Sequence, residues 1–419
     1  MRRRGPGRLI WAACGLWAAA WGPAPAWSEE VLAGAAHEPF VLPDRIPLAG
    51  YSRRQGEPST GVHDPVGVRA LVFRSGTAAA ALVSCDLLIV DERLFDAVRR
   101  RLLNEGLPEG LVLILAGTHT HSGPGAYGSR FLEKVSMGHF DPRVFDALVR
   151  AIVRAVGRAH AALAPVALAY GTARTEGLVH NRAAPEGPVD PELVVVGCYR
   201  PGAREPFAVL VNFAAHPTTL GAWNRELSAD YPGVVVRELE RRFPTAVGLF
   251  FAGAVADQGP VKTGEGFEGA ERIGRSLADR AAALLLLATF VPESPDAVEA
   301  AQQAVALPPA QVRVGGVTLP RWLGRRFVDD EATLSVLAVG TTVFVGVPCD
   351  LDASLGLRLK QAAQAQGWKP LIIGFASDYI GYCVPEALYR AKRYESSMAF
   401  NGPRAGELVV ERLIQMMRD

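Results

Sequence analysis

Leu111-Val112-Leu113-Ile114-Leu115-Ala116-Gly117-Thr118-His119-Thr120-His121-Ser122-Gly123-Pro124-Gly125 joins an unbroken apolar run to a glycine-bounded loop that carries two histidines. The apolar half reads as a strand buried on both faces, and five further runs rich in Val, Ile, Leu and Phe repeat it at 79–84, 207–213, 246–251, 341–347 and 370–375. Between them lie patterns with helical spacing at 93–103, 144–163, 232–243 and 267–287, the third with a proline in its first turn and Asp230 as the expected cap. Apolar strands interleaved with helices predict an α/β fold, with mixed β-sheets flanked by helices. The stretch 291–330, with five prolines and weak periodicity, reads as an irregular excursion inside that fold.

The polar residues gather where the strands end. After 207–213 comes His216-Pro217, after 341–347 comes Pro348-Cys349-Asp350, and after 370–375 come Asp378, Tyr379 and Tyr382. Loops at the carboxyl ends of strands are where open α/β sheets build their sites. Two histidine loops and one carboxylate loop at such ends suit zinc, which takes nitrogen and oxygen ligands and keeps a position open for water in catalytic sites. Taken singly, His216 reads as a structural residue bonding a carbonyl, and Asp350 as a cap for a helix beginning near Ser354. Their shared placement favours a metal. His37, His139, His160 and His180 have no such placement, and His63 in Gly61-Val62-His63-Asp64-Pro65 fits a turn.

Residues 1–26 read as a secretory signal peptide: Arg2, Arg3, Arg4 and Arg8, then a short apolar run, then Ala24-Pro25-Ala26 as the cleavage site. No later stretch reaches the ~18 apolar residues of a membrane span, so the mature chain is expected to be periplasmic or secreted. With 44 basic against 43 acidic side chains and a net charge of +1, no nucleic-acid partner is indicated. Apolar content of 49% suits a large core. Cys85, Cys198, Cys349 and Cys383 are scattered. One or two disulfides and four buried thiols both stay open.

The nine residues from Gly117 to Gly125 resemble the signature of the neutral/alkaline, non-lysosomal ceramidase family. In order along the chain, Leu48-Ala49-Gly50-Tyr51, Asn181-Arg182, Asn212 to Thr218, Ser228 to Gly233, Gly381-Tyr382 and Arg393-Tyr394-Glu395 fit the same family. The resemblance implies one catalytic domain over 27–419 and a zinc ion held by His119, His216, Asp350 and Tyr382. It also implies that His121, Arg182 and Tyr394 line the reacting carbonyl. Zinc lowers the pKa of a bound water to ~7 and so supplies a nucleophile at neutral pH, while Arg182, His121 and Tyr394 would steady the oxyanion or protonate the leaving amine. The expected activity is hydrolysis of an N-acyl amide, with ceramide-like lipid amides among the substrates it implies and peripheral membrane contact left open.

Three departures bear on that expectation. The family carries glutamate where this chain has Asp350, one methylene shorter, with Asp352 as a neighbouring substitute. In Ala256-Asp257-Gln258-Gly259-Pro260 a glycine stands where the family has a serine, which excludes a serine nucleophile there. The immunoglobulin-like domain of long ceramidases is expected to be missing. Hydrolysis of esters or other small amides, and a non-catalytic binding role, stay as alternatives.

Overall fold

In the computed structural model, residues 30–287, 290, 292–314, 317–318, 324, 328–391 and 393–418 are described. The segment read as a signal peptide lies outside them. Three sheets carry the fold. The first orders its strands Val112–Gly117, Ala78–Cys85, Gly67–Ser75, Leu32–Pro39 and Ala164–Pro165. The second orders Val247–Ala252, Pro206–Phe213, Glu192–Tyr199 and Ala167–Arg174. The third orders Val298–Ala306, Glu331–Val339, Thr342–Gly346 and Lys369–Ile373. Each mixes antiparallel pairs with one parallel pair.

Strand periodicity explains why these runs are apolar throughout. Leu82, Ile114, Leu210, Phe251, Phe344 and Leu371 point into one core shared by all three sheets. Their neighbours Val83, Leu115, Val211 and Phe250 point the other way, into the core under helices Glu92–Asn104, Pro142–Ala161, Asp230–Arg242 and Gly266–Leu285. The outer face of the third sheet packs on helices Ala353–Gln364 and Ala405–Met416. Each fully buried Leu or Phe contributes about 1.5–3 kcal/mol relative to exposure, so a strand buried on both faces needs no polar alternation.

Two sequence readings are corrected. The excursion contains a nine-residue strand, Val298–Ala306, paired antiparallel with Glu331–Val339 along its whole length. It lies at the edge of its sheet, and its alanines and glutamines hid it. Asp230 does not cap the helix from outside. It is the first helical residue, at φ 56°, and its carboxylate takes the hydroxyl of Thr219 and the backbone N–H of Leu220. The four cysteines are free and buried, which settles that alternative.

The three sheets are stitched together at one end. The amide of Asn212 donates to Phe251 O at 2.9 Å and to Ile372 O at 2.7 Å, tying the second sheet to the third. Ala116 bridges to Ala376, and the N–H of Ser377 donates to Leu115 O, tying the third to the first. These ties lie where the histidine and carboxylate loops begin.

Candidate metal centre

His119 follows the strand Val112–Gly117 and has φ 64°, a left-handed conformation that few non-glycine residues adopt. Its backbone N–H donates to Leu87 O, and its Nδ1 lies 2.7 Å from Leu88 O. On its other side the ring is stacked, 5° from parallel and 3.7 Å between centroids, on Phe375, another residue in the left-handed region at φ 57°. Backbone strain at two stacked residues persists only where surrounding contacts over-determine it. His216 follows Pro206–Phe213, with its Nδ1 3.2 Å from Val255 O.

These contacts decide the chemistry. A buried neutral imidazole carries one proton, and a carbonyl beside Nδ1 places that proton there, leaving Nε2 as a bare lone pair. The Nε2 atoms of His119 and His216 are 2.9 Å apart, and that of His121 lies 3.3 Å from the first and 3.1 Å from the second. Burial pulls His119 down to about 3 and holds His121 and His216 well below the usual histidine range, so none of them carries a second proton. Zinc bonded to imidazoles at about 2.0–2.1 Å in a tetrahedron spaces its nitrogens roughly 3.3–3.4 Å apart. Among the described residues these three histidines form a group whose donor atoms could hold an ion.

A carboxylate completes the donor set. Asp350 is fully buried, and its Oδ1 lies 3.5 Å from His119 Nε2 without a hydrogen-bond partner. An orphaned buried oxygen facing the lone pairs of His119 and His216, with the Nε2 of His121 beside them, fits a cation. Burial raises its pKa to about 7, against a hydrogen bond from Tyr379 that lowers it. Asp352 has another task. It caps helix Ala353–Gln364, accepting from Ser354 N at 2.9 Å. Capping thus falls to the second aspartate and the histidines are faced by the first.

Tyr382 sits beside Asp350 because the short strands Asp350–Leu351 and Tyr382–Cys383 pair in parallel register. Its phenol accepts from Arg182 Nη2 at 3.1 Å. The guanidinium also donates from Nε and Nη2 to Ala256 O, at 3.0 and 2.6 Å, with the Glu395 carboxylate 3.6 Å away. Tyr394 is 60% exposed, with its ring 5.7 Å from that of Tyr382, so it stands at the mouth. The pocket beneath is lined by His119, His121, Asp350, Tyr382 and Tyr394, and by apolar Leu88, Ile89, Met137, Met398 and Phe400. All seven residues singled out in the sequence therefore gather at one place.

The remaining histidines of interest stay out of it. His63 stacks on Phe267. His180 fills the space beside Gly259, where a β-carbon would meet its ring at 2.9 Å and the stem of Arg182 at 3.5 Å. A side chain at 259 would meet His180 and Arg182 first.

Three contributors received no role from the sequence: Phe375, Tyr379 and Gly50. Gly50 has φ 108°, and a β-carbon there would lie 2.6 Å from His121 Nδ1. Both facts call for glycine. Gly50→Ala is expected to push His121 off its position and to lower stability by about 1–3 kcal/mol, read as a lowered thermal midpoint. An unchanged midpoint with intact metal binding would show that the loop yields freely.

Residues 43–256 match the family profile described as neutral/alkaline non-lysosomal ceramidase, N-terminal. The neutral ceramidase of Mycobacterium tuberculosis (strain ATCC 25618 / H37Rv) is 30% identical over 214 residues, which cover 46% of this chain and 33% of that protein. The neutral ceramidase of Pseudomonas aeruginosa is 28% identical over 203 residues, covering 45% of this chain and 30% of the relative. The matched stretch thus spans about a third of each relative's length. A crystal structure of neutral ceramidase from Pseudomonas aeruginosa superposes with a TM-score of 0.82 at 20% identity, over 93% of this chain and 74% of that one. The profile match takes in just over half of the 419 residues and spans both histidine loops, and the chain belongs to the neutral/alkaline non-lysosomal ceramidase family.

Proposed function

We propose that this chain is a zinc-dependent hydrolase that cleaves the amide bond of N-acyl lipids of the ceramide type. The observation that carries the reading is the meeting of three imidazole Nε2 atoms with the unpaired oxygen of Asp350 at the floor of a partly apolar pocket. The likeness to proteins named as neutral ceramidases supports the substrate class.

In this reading His119, His216, Asp350 and Tyr382 hold the ion. A zinc ion bound there would supply Lewis acidity and lower the pKa of a water to ~7. The protein's own groups do the rest. His119 and His216 have their Nδ1 atoms beside carbonyls, which fixes their tautomers. The Nδ1 of His121 is buried against Gly50 with no partner. His121 stays outside the proposed ligand set, and its Nε2, beside those of His119 and His216, is placed to donate to the leaving amine. Arg182 brings a fixed positive charge beside Tyr382 for the oxyanion. Tyr394, exposed at the mouth, orients the amide. The apolar walls at Leu88, Ile89, Met137, Met398 and Phe400 accept hydrocarbon. Export through residues 1–26 would bring the enzyme to lipid outside the cytoplasm.

The test is a panel of N-acyl amides and matching esters, run on protein with its metal content measured. Zinc near one per chain, amide cleavage abolished by a chelator and restored by zinc are the expected results. Metal-free protein with full activity would refute the proposal. Faster turnover of esters or short amides would move the substrate class. Bound zinc without any turnover would favour a binding role.

A further inference from the structure

We infer that Tyr379 is a positioning residue for Asp350: its hydroxyl fixes one carboxylate oxygen and thereby aims the other at the histidines. The inference rests on the proposed metal site and concerns how an aspartate serves at a position where the family has glutamate.

The carboxyl torsion of an aspartate is broad and nearly two-fold, so the backbone alone does not choose which oxygen faces a ligand. For Asp350 the backbone is set by the parallel pairing with Tyr382–Cys383 and by its N–H donating to Gly381 O at 3.0 Å. The remaining choice is made by Tyr379, whose hydroxyl donates to Oδ2 at 2.8 Å. Oδ1 is left without a partner, 3.5 Å from His119 Nε2. Asp350 thus presents a single oxygen to the centre.

The tyrosine is itself held in place. Its ring stacks on Phe375, with centroids 6.3 Å apart and planes 29° from parallel, and Phe375 stacks on His119. One column of three rings therefore orients an imidazole at one end and a carboxylate at the other. The loop carrying Phe375 and Tyr379 leaves the third sheet, whereas His119 leaves the first, so the column also spans two sheets. Residues that orient metal ligands this way typically change metal affinity about 10–100-fold when removed.

The experiment is Tyr379→Phe in the full chain, which keeps the ring column and removes only the hydroxyl. Zinc affinity is measured by competition with a chromogenic chelator, and ligand geometry by the visible absorption of the cobalt-loaded protein, with circular dichroism as the check on folding. The expected result is zinc binding weakened about 10–100-fold with a changed cobalt spectrum. In an Asp350→Ala background the same substitution is expected to change zinc affinity less than about twofold, because nothing remains to be positioned. Zinc affinity and cobalt spectrum equal to wild type, or an equal loss in both backgrounds, would overturn the inference while leaving the metal site standing. A wild-type chain that binds neither zinc nor cobalt would overturn both.

Discussion

Replacing His119 by alanine is expected to empty the proposed metal centre and to lower the proposed amide hydrolysis by a factor on the order of a thousand, about 4 kcal/mol of transition-state stabilisation. The size of the effect follows from what His119 touches. It supplies the nitrogen nearest to His216, lies closest to the Asp350 oxygen, and is held by Leu88 O on one edge and by Phe375 on its face. Alanine removes the donor and leaves a void against Phe375 that water can enter. Elemental analysis should give zinc well below the wild-type ratio, and circular dichroism should show a folded chain, since helices and sheets do not run through this loop. His160→Ala is the matched control, because His160 sits on the helix Pro142–Ala161, outside the histidine cluster. A His119→Ala protein that keeps its zinc and its turnover would remove the centre from the mechanism.

Much of this centre was legible before any coordinates. Apolar runs too continuous for one-sided strands place His119, His216 and Asp350 at corresponding ends, and the ties from Asn212 to Phe251 O and Ile372 O and from Ala116 to Ala376 bring those ends together. Other parts were illegible for physical reasons. The choice between Asp350 and Asp352 depends on which one the helix claims as its cap, a matter of two residues of register. The strand Val298–Ala306 is built from alanine, glutamine and glutamate at a sheet edge, and its pairing partner, not its composition, makes it a strand. Asp230 has the chemistry of a helix cap, yet its carboxylate is engaged by Thr219 and Leu220, which tether the loop after His216.

Gly50 and Tyr379 show a further limit. Their importance comes from contacts with His121 and Asp350, at separations of 71 and 29 residues, so a strand-end placement for Tyr379 and a family-like segment around Gly50 give neither residue its role. What local pattern does announce is where strained backbone is tolerable. The loop holding His119 is bounded by Gly117 and Gly123, at both of which a β-carbon would clash with the loop 86–89. Small residues there let two strand-end loops approach closely enough to hold the ring of His119 between Leu88 O and Phe375.

Arg182→Lys should separate binding of the ion from the chemistry done beside it. Lysine keeps the charge but loses the planar fork that donates twice to Ala256 O and once to the Tyr382 phenol. Zinc affinity is expected to fall about 10-fold, because the guanidinium donates to Tyr382, one of the proposed ligands, while the imidazoles keep their own carbonyl partners. The turnover number is expected to fall about 100-fold or more, in line with losing one oriented donor to a developing oxyanion, while KM stays within a few-fold. That split is the informative part. An arginine that merely holds Ala256 and Glu395 in place would, when replaced, lower thermal stability and zinc affinity together and leave the turnover number of the folded fraction intact. Steady-state kinetics on zinc-saturated protein, with active-site content normalised by bound metal, distinguishes the two. A turnover number within threefold of wild type would reduce Arg182 to scaffolding and pass the burden of stabilising the oxyanion to Tyr382 and Tyr394.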